Sequence, residues 1–291
     1  MLFYQRIFLT FLLFIAPVLL FAQDDSPAAN YKAALALVNA NKGADAIPLL
    51  EKVIKTPSPN TAAAYGLLGS IYDDSHQPEK AIAVYKDGLK AYPTEQSLFY
   101  NLGLAYSRNK QYADAETAAI EAIKLDPQNA NSQRMYALVT FHQNKQVQAL
   151  LGFCSFILLE PNTARSTEAF GNIQHILQGG VLKGDDGKPL ILTAADDKNL
   201  AAGLSAVLAE AKAKKLAGAD MLQYQLKSIF IMTGQLADKK TDKTFFDNFY
   251  AAYFYKLAQS DTNLSAFAEL LTTQQIGSSL SDWMRDTSRE F

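Results

Sequence analysis

The sequence predicts an all-α protein: a solenoid of about four helix–turn–helix repeats, followed by a helical C-terminal domain. Three observations carry this. Four prolines, Pro59, Pro93, Pro127 and Pro161, stand 34 residues apart. Between them, apolar residues recur at helical spacing, such as Tyr65, Leu68, Gly69 and Tyr72, then Ala81, Ile82, Tyr85 and Leu89. Other residue types return at the same step. Leu68-Gly69 is matched by Leu102-Gly103, Tyr72 by Tyr106, Tyr65 by Phe99, and Ala81 by Ala115 and Ala149. Tyr85 is matched by Phe153, with Ala119 interrupting that series.

Each element has its own reason. Residues 1–6 carry Arg6 and no acid, and Ile7 to Ala22 is apolar except for Thr10. A basic start followed by such a run has the pattern of a secretory signal peptide over residues 1–22, with a cut expected after Ala22. The run is short of the roughly 20 residues that span a bilayer, and Pro17 interrupts it. No cysteine follows it to take a lipid. The expectation is an exported chain, periplasmic or secreted, with no stable membrane anchor after cleavage.

Residues 28–61, 62–95, 96–129 and 130–163 then form four copies of the repeat. In each, glycine and alanine let two helices approach closely, and aromatics fill the space beside them. Proline ends the second helix by restricting the residue before it. A single helix pair cannot bury its apolar face, but stacked neighbours can. The first copy is degenerate. Tyr31 and the stripe Ala46-Ile47, Leu50, Val53 match, its inter-helix loop is one or two residues short, and Thr56-Pro57-Ser58-Pro59 restores the step. Residues 164–180 read as a capping helix, with Phe170-Gly171 where a fifth Leu-Gly would fall. Glycines 179, 180, 184 and 187 then break the pattern in a loop with a short strand turn expected at Leu190–Thr193.

Residues 197–291 read as further helices. Leu200–Leu216 is expected to be capped by Asp196 or Asp197 and stopped by Gly218, with Lys212, Lys214 and Lys215 complementing its dipole. Helices over about 220–235, 243–258, 263–272 and 278–288 follow, the last carrying Trp283 as a packing anchor. The segment 243–258 holds seven aromatics within eleven residues, Phe245 to Tyr255. That density predicts a buried core helix or a partner-facing patch.

Residues 62–95 and 96–129 closely resemble the tetratricopeptide repeat (TPR), carrying aromatic, Leu-Gly, Tyr, Ala and Pro at that family's positions. Residues 130–163 resemble it less, with Tyr136-Ala137 in place of Leu-Gly and Thr140 in place of Tyr. The resemblance covers about half of the chain. It implies ligand binding in a concave groove lined by the first helix of each repeat. Carried over by position, the groove residues include Asp73 and Asp74 in one repeat. The next supplies Tyr100, Asn101, Leu104 and Arg108, and the one after it Arg134, Leu138 and His142. Such a surface suits an extended peptide or a helix, with Tyr100 and Arg134 as expected anchors. The sub-family that clamps carboxylate tails has Lys and Asn where this sequence has Gly66 and Ser70. Where that sub-family has Lys and Arg, Asn131 and Met135 stand here; only Asn101 matches. That clamp is absent.

Composition narrows the function further. The chain has 291 residues, 49% hydrophobic and 19% charged, an ordinary globular balance. With 27 basic and 29 acidic residues the net charge is −2, without the basic excess of a nucleic-acid binder. One cysteine, Cys154, excludes an intrachain disulfide framework and four-cysteine zinc sites. His76, His142 and His175 lie too far apart for a compact metal motif. No phosphate loop, dinucleotide fingerprint or nucleophile elbow occurs. His175 with Asp185 or Asp186 could pair as acid and base, but no nucleophile is placed beside them. The loop from Lys183 to Lys188 lacks the alternating acids of a calcium loop. The expected function is therefore non-enzymatic, without cofactor or metal: a protein–protein scaffold or adaptor of the bacterial cell envelope. Its partner is a protein or peptide rather than a nucleic acid. Self-association as a structural subunit is the alternative, and an enzyme with its site near His175 is the more distant one.

Overall fold

The computed structural model describes residues 25–273, apart from 184–187 and 189, together with Gln275 and Leu280. Residues 1–22, read from the sequence as a signal peptide, together with Asp185, Asp186 and Trp283 therefore lie outside the described residues. Most of the helix expected at 278–288 does too. The chain forms two compact units that meet between Thr61 and Ala62.

The first unit is a helix hairpin. Helix α1 (Pro27–Asn39) starts on Ser26, whose side chain accepts the Ala29 N–H, with proline in the first turn. Helix α2 (Gly43–Lys55) buries Ala46, Leu50 and Val53. It stops at Thr56, directly before Pro57, because a residue preceding proline is pushed out of the helical region. Lys52 pairs with Asp25 at 2.8 Å across the hairpin.

The second unit continues as helix pairs: α3 (Thr61–Asp74) with α4 (Pro78–Ala91), α5 (Gln96–Arg108) with α6 (Tyr112–Leu125), and α7 (Ala130–His142) with α8 (Gln146–Leu159). Helix α9 (Ala164–Leu177) follows, opened by a Thr163/Ser166 capping box. Each of α4, α6 and α8 ends two residues before Pro93, Pro127 or Pro161. The turn inside each pair repeats as strictly as the prolines do. His76, Lys110 and Asn144 all adopt φ of 57–59°, and the following N–H donates back to the carbonyl of Tyr72, Tyr106 or Thr140. This is the left-handed helix stop, here without glycine. His76 is thus an exposed turn residue.

Close approach fixes the packing. A Cβ on Gly69 would fall inside the Tyr85 ring, and one on Gly88 would meet Tyr65 and Leu98 at 2.9 Å. Gly152 lies equally close under Tyr136 and Ala137. Cys154 is buried within α8, and burial pushes its thiol well up. It is a core residue.

Helices α10 (Ala195–Ala213), α11 (Gly218–Asp238), α12 (Ala252–Ala258) and α13 (Asp261–Thr273) share one buried cluster with the repeats. Three local expectations are corrected. Ala194 occupies the cap of α10, and Asp196 and Asp197 sit in its first turn because both are drawn sideways onto lysines. Lys215, at φ 56°, makes the left-handed stop, while Gly218 opens α11. Residues 190–193 form no strand. The loop closes through Leu190 N–H to Leu182 O at 3.2 Å, with an isolated bridge at Lys183.

The aromatic segment contains a π-helical turn, Asp247–Ala251, leading into α12. Phe246, Tyr250 and Phe254 are buried at steps of four. Four residues overshoot one α-helical turn by about 40°, and a wider turn takes up that drift. Tyr250 stacks on Tyr136 at 4.8 Å, and its hydroxyl donates to Gln133 Oε1 at 2.5 Å, a contact 117 residues apart in sequence. The segment is core. Asp247 anchors the turn. Its carboxylate accepts from Lys240 Nζ at 2.9 Å and from the Thr244 N–H and hydroxyl, and Lys240 also reaches Asp196 at 2.8 Å. Burial alone would raise the Asp247 carboxyl. The Lys240 and Thr244 hydrogen bonds outweigh burial and hold it below its ordinary value. A second lysine, Lys145, joins Glu116 at 2.7 Å to Asp197 at 3.8 Å and so ties α10 to α6 and α8.

Candidate functional site

Between α5, α7 and α9 of the second unit lies a pocket of about 60 Å³. Its floor is apolar, made by Leu104, Met135, Leu138 and Val139. Tyr100, Ser107, Asn131, Arg134 and Arg165 complete its lining. Helical periodicity places these side chains together: Tyr100, Leu104 and Ser107 on α5, and Asn131, Arg134 and Leu138 on α7, follow steps of three and four.

Four of the sequence-derived groove residues, Tyr100, Leu104, Arg134 and Leu138, meet in this pocket. Asp73, Asp74 and Arg108 lie outside it and form their own group. The Arg108 guanidinium is ion-paired with Asp73 and reaches Asp74 at 3.9 Å. Asp73 is buried and Asp74 exposed, so the pair links α3 to α5 while leaving one acid to solvent. Asn101 faces Gly66 of α3, where an added Cβ would touch its Nδ2 at 3.8 Å. His142 turns away. Its ring stacks on Tyr112 of α6 at 5.0 Å, and burial lowers its tendency to protonate. His175 packs edge-on to Phe141 at 6.0 Å and lies against Gly180.

Arg165 is the charged pocket residue absent from the sequence-derived set. Its Nε donates to Glu160 Oε1 at 2.9 Å, its Nη2 pairs with Glu160 Oε2, and its Nη1 donates to Asn131 Oδ1 at 2.9 Å. The Arg165 bonds hold the Glu160 carboxyl below its ordinary value. Arg165 stands 34 residues after Asn131, the position that a fifth copy of the step would give it. Arg134 likewise donates to Glu168 at 2.9 Å, 34 residues on. The capping helix therefore supplies one wall of the pocket.

Among the described residues, no cluster of three or more His, Cys, Asp or Glu could hold a metal ion. No helix among them is long and apolar enough to cross a membrane.

Helix pairs in a 34-residue step, with small residues under aromatics, are the architecture of tetratricopeptide repeats, which this part of the chain resembles. Residues 15–142 match the family model described as Psidin, N-terminal TPR repeats region, which is less than half the chain. No curated protein matches the sequence. Among solved structures, the chain is similar to PilF of Pseudomonas aeruginosa, with 17% identity over 84% of this chain and 98% of that one, at a TM-score of 0.47. It is similar to a tetratricopeptide repeat protein from Parabacteroides merdae, with 10% identity, the same coverage and a TM-score of 0.48. It is also similar to MamA (residues 41 to the end) from Desulfovibrio magneticus RS-1, with 25% identity over 47% of this chain and 77% of that one, at a TM-score of 0.43. The likeness to tetratricopeptide repeats rests on the repeat geometry and on the family model over residues 15–142.

Proposed function

We propose that this chain is a non-enzymatic protein-binding scaffold of the bacterial cell envelope that holds a peptide or helix of its partner against α5, α7 and α9. The pocket carries this reading. It sets an apolar floor beside Tyr100 and Arg134, two residue types that dominate binding energy where they are anchored. Tyr100 packs half-buried against the core and Arg134 is paired with Glu168, so both start partly ordered. Export rests on the pattern of residues 1–22 alone, with the periplasm or the exterior as destination.

The test is crosslinking of the tagged chain in intact envelopes, followed by mass spectrometry, beside Tyr100→Ala with Arg134→Ala. A stoichiometric partner should be captured by the unaltered chain and lost from the double variant, whose helix content by circular dichroism stays the same. Equal capture by both would overturn the groove assignment.

A further inference from the structure

Resting on that reading, we infer that the pocket between α5, α7 and α9 receives a glutamate side chain of the bound peptide, with its carboxylate on Arg134 and Arg165 and its methylenes on the apolar floor. The lining holds two guanidinium groups, a phenol, a hydroxyl and an amide, but no carboxylate. It offers donors above an apolar base. Asn131 Oδ1 is already occupied by Arg165, which leaves its Nδ2 as a further donor. A volume of about 60 Å³ is well below the roughly 150 Å³ of a cavity that encloses a benzene ring, so the pocket favours a slim side chain such as a short methylene stem ending in a planar anion. Guanidinium forks match such a carboxylate in shape as well as charge.

The acids around the pocket orient the arginines rather than fill it. Glu160 grips Arg165 from one side through Nε and Nη2, which leaves the Nη1 edge beside Asn131. Glu168 holds Arg134 through Nη2 only, and its side chain is 58% exposed. Exposed pairs of this kind contribute little, so an incoming carboxylate can compete with Glu168 for Arg134. This gives a prediction of opposite sign for two neighbouring charges: removing Arg134 weakens the site, and removing Glu168 strengthens it.

The probe is the capped peptide acetyl-Ala-Leu-Glu-Leu-Ala-amide, with its glutamine counterpart as control. The readout is the side-chain Nε–H signals of Arg134 and Arg165 in isotope-labelled protein as the producing cell processes it. The signals are assigned with Arg134→Lys and Arg165→Lys. The glutamate peptide should shift both signals saturably, with a dissociation constant in about the millimolar range expected of a single anchored contact. The glutamine peptide should bind about tenfold more weakly, Arg134→Lys should lose a similar factor, and Glu168→Gln should tighten binding severalfold. Equal shifts from both peptides, or no shift at either arginine, would overturn the assignment. So would preference for a free chain end in acetyl-leucyl-alanine, or for a phosphoserine peptide. If no probe binds but the groove double variant still loses its partner, the scaffold reading stands and this inference falls. If capture is also unchanged, both fall.

Discussion

The repeat stack and the C-terminal helices bury aromatic rings by different means. In the stack, rings lie on small residues of a neighbouring helix: Tyr85 on Gly69, Tyr65 on Gly88, Tyr136 on Gly152. In the C-terminal part, rings meet rings. Phe230, Phe254 and Phe267 form a triangle with centroids 4.8–6.0 Å apart, although Gly234 beneath Tyr255 borrows the device of the stack. Ring on glycine joins the two helices of one repeat, as Tyr85 with Gly69 and Tyr136 with Gly152, so it recurs with the step. The ring triangle joins α11, α12 and α13, and no step repeats it. Tyr136 belongs to both systems. It lies over Gly152 on one side and stacks on Tyr250 on the other, and that stack joins the two regions.

The comparison breaks most visibly at this joint. Tyr250→Ala removes a fully buried ring, its stack on Tyr136 and the partner of Gln133. It should cost about 4 kcal/mol. Hydrogen exchange should show α10–α13 opening before α3–α6. Uniform loss of protection along the second unit would mean that the joint is not where the two regions separate.

A smaller effect is expected inside the stack. Gly69→Ala pushes a methyl into the buried Tyr85 ring, which has nowhere to go, and should cost about 2 kcal/mol in a denaturant titration. Gly171→Ala supplies the contrast. It is also a helical glycine, but a Cβ there meets no atom within 4 Å. It should gain about 0.5 kcal/mol from the stiffer unfolded chain. If both changes had the same sign, close approach would not be what selects glycine in the stack.

The smallest effect concerns pH and belongs to the C-terminal part. The folded Asp247 carboxyl sits below its unfolded value, so its contribution is complete above about pH 5 and is lost as pH falls through the lowered folded value. Asp247→Asn should flatten the acid limb of a stability profile measured from about pH 6 to about pH 3. An unchanged slope would assign that limb to other carboxylates.

Legibility in the sequence follows the same division. The helix pairs, their proline stops and the apolar stripes of α3–α8 were readable because each depends on neighbours within one step of the repeat. Tyr100, Leu104, Arg134 and Leu138 were carried onto one face by the resemblance to tetratricopeptide repeats, and the structure brings them into one pocket. His142 lies outside the pocket and stacks on Tyr112 of α6, a contact that its position in the repeat did not signal. Arg165 was hidden in a helix read as a cap. The 34-residue step from Asn131 was the available signal.

The sequence by itself determined the all-α class, the repeat step and the places where the second helices of the repeats stop. All of these follow from local periodicity, backbone restriction at proline and contact between adjacent helices. Only the tertiary structure decided that the aromatic segment is core with a π turn. It alone made Asp196 and Asp197 partners of lysines rather than caps. Those outcomes rest on contacts such as Tyr250 with Gln133 and Lys145 with Asp197. Such pairings between residues far apart in sequence have no period and leave no pattern to read.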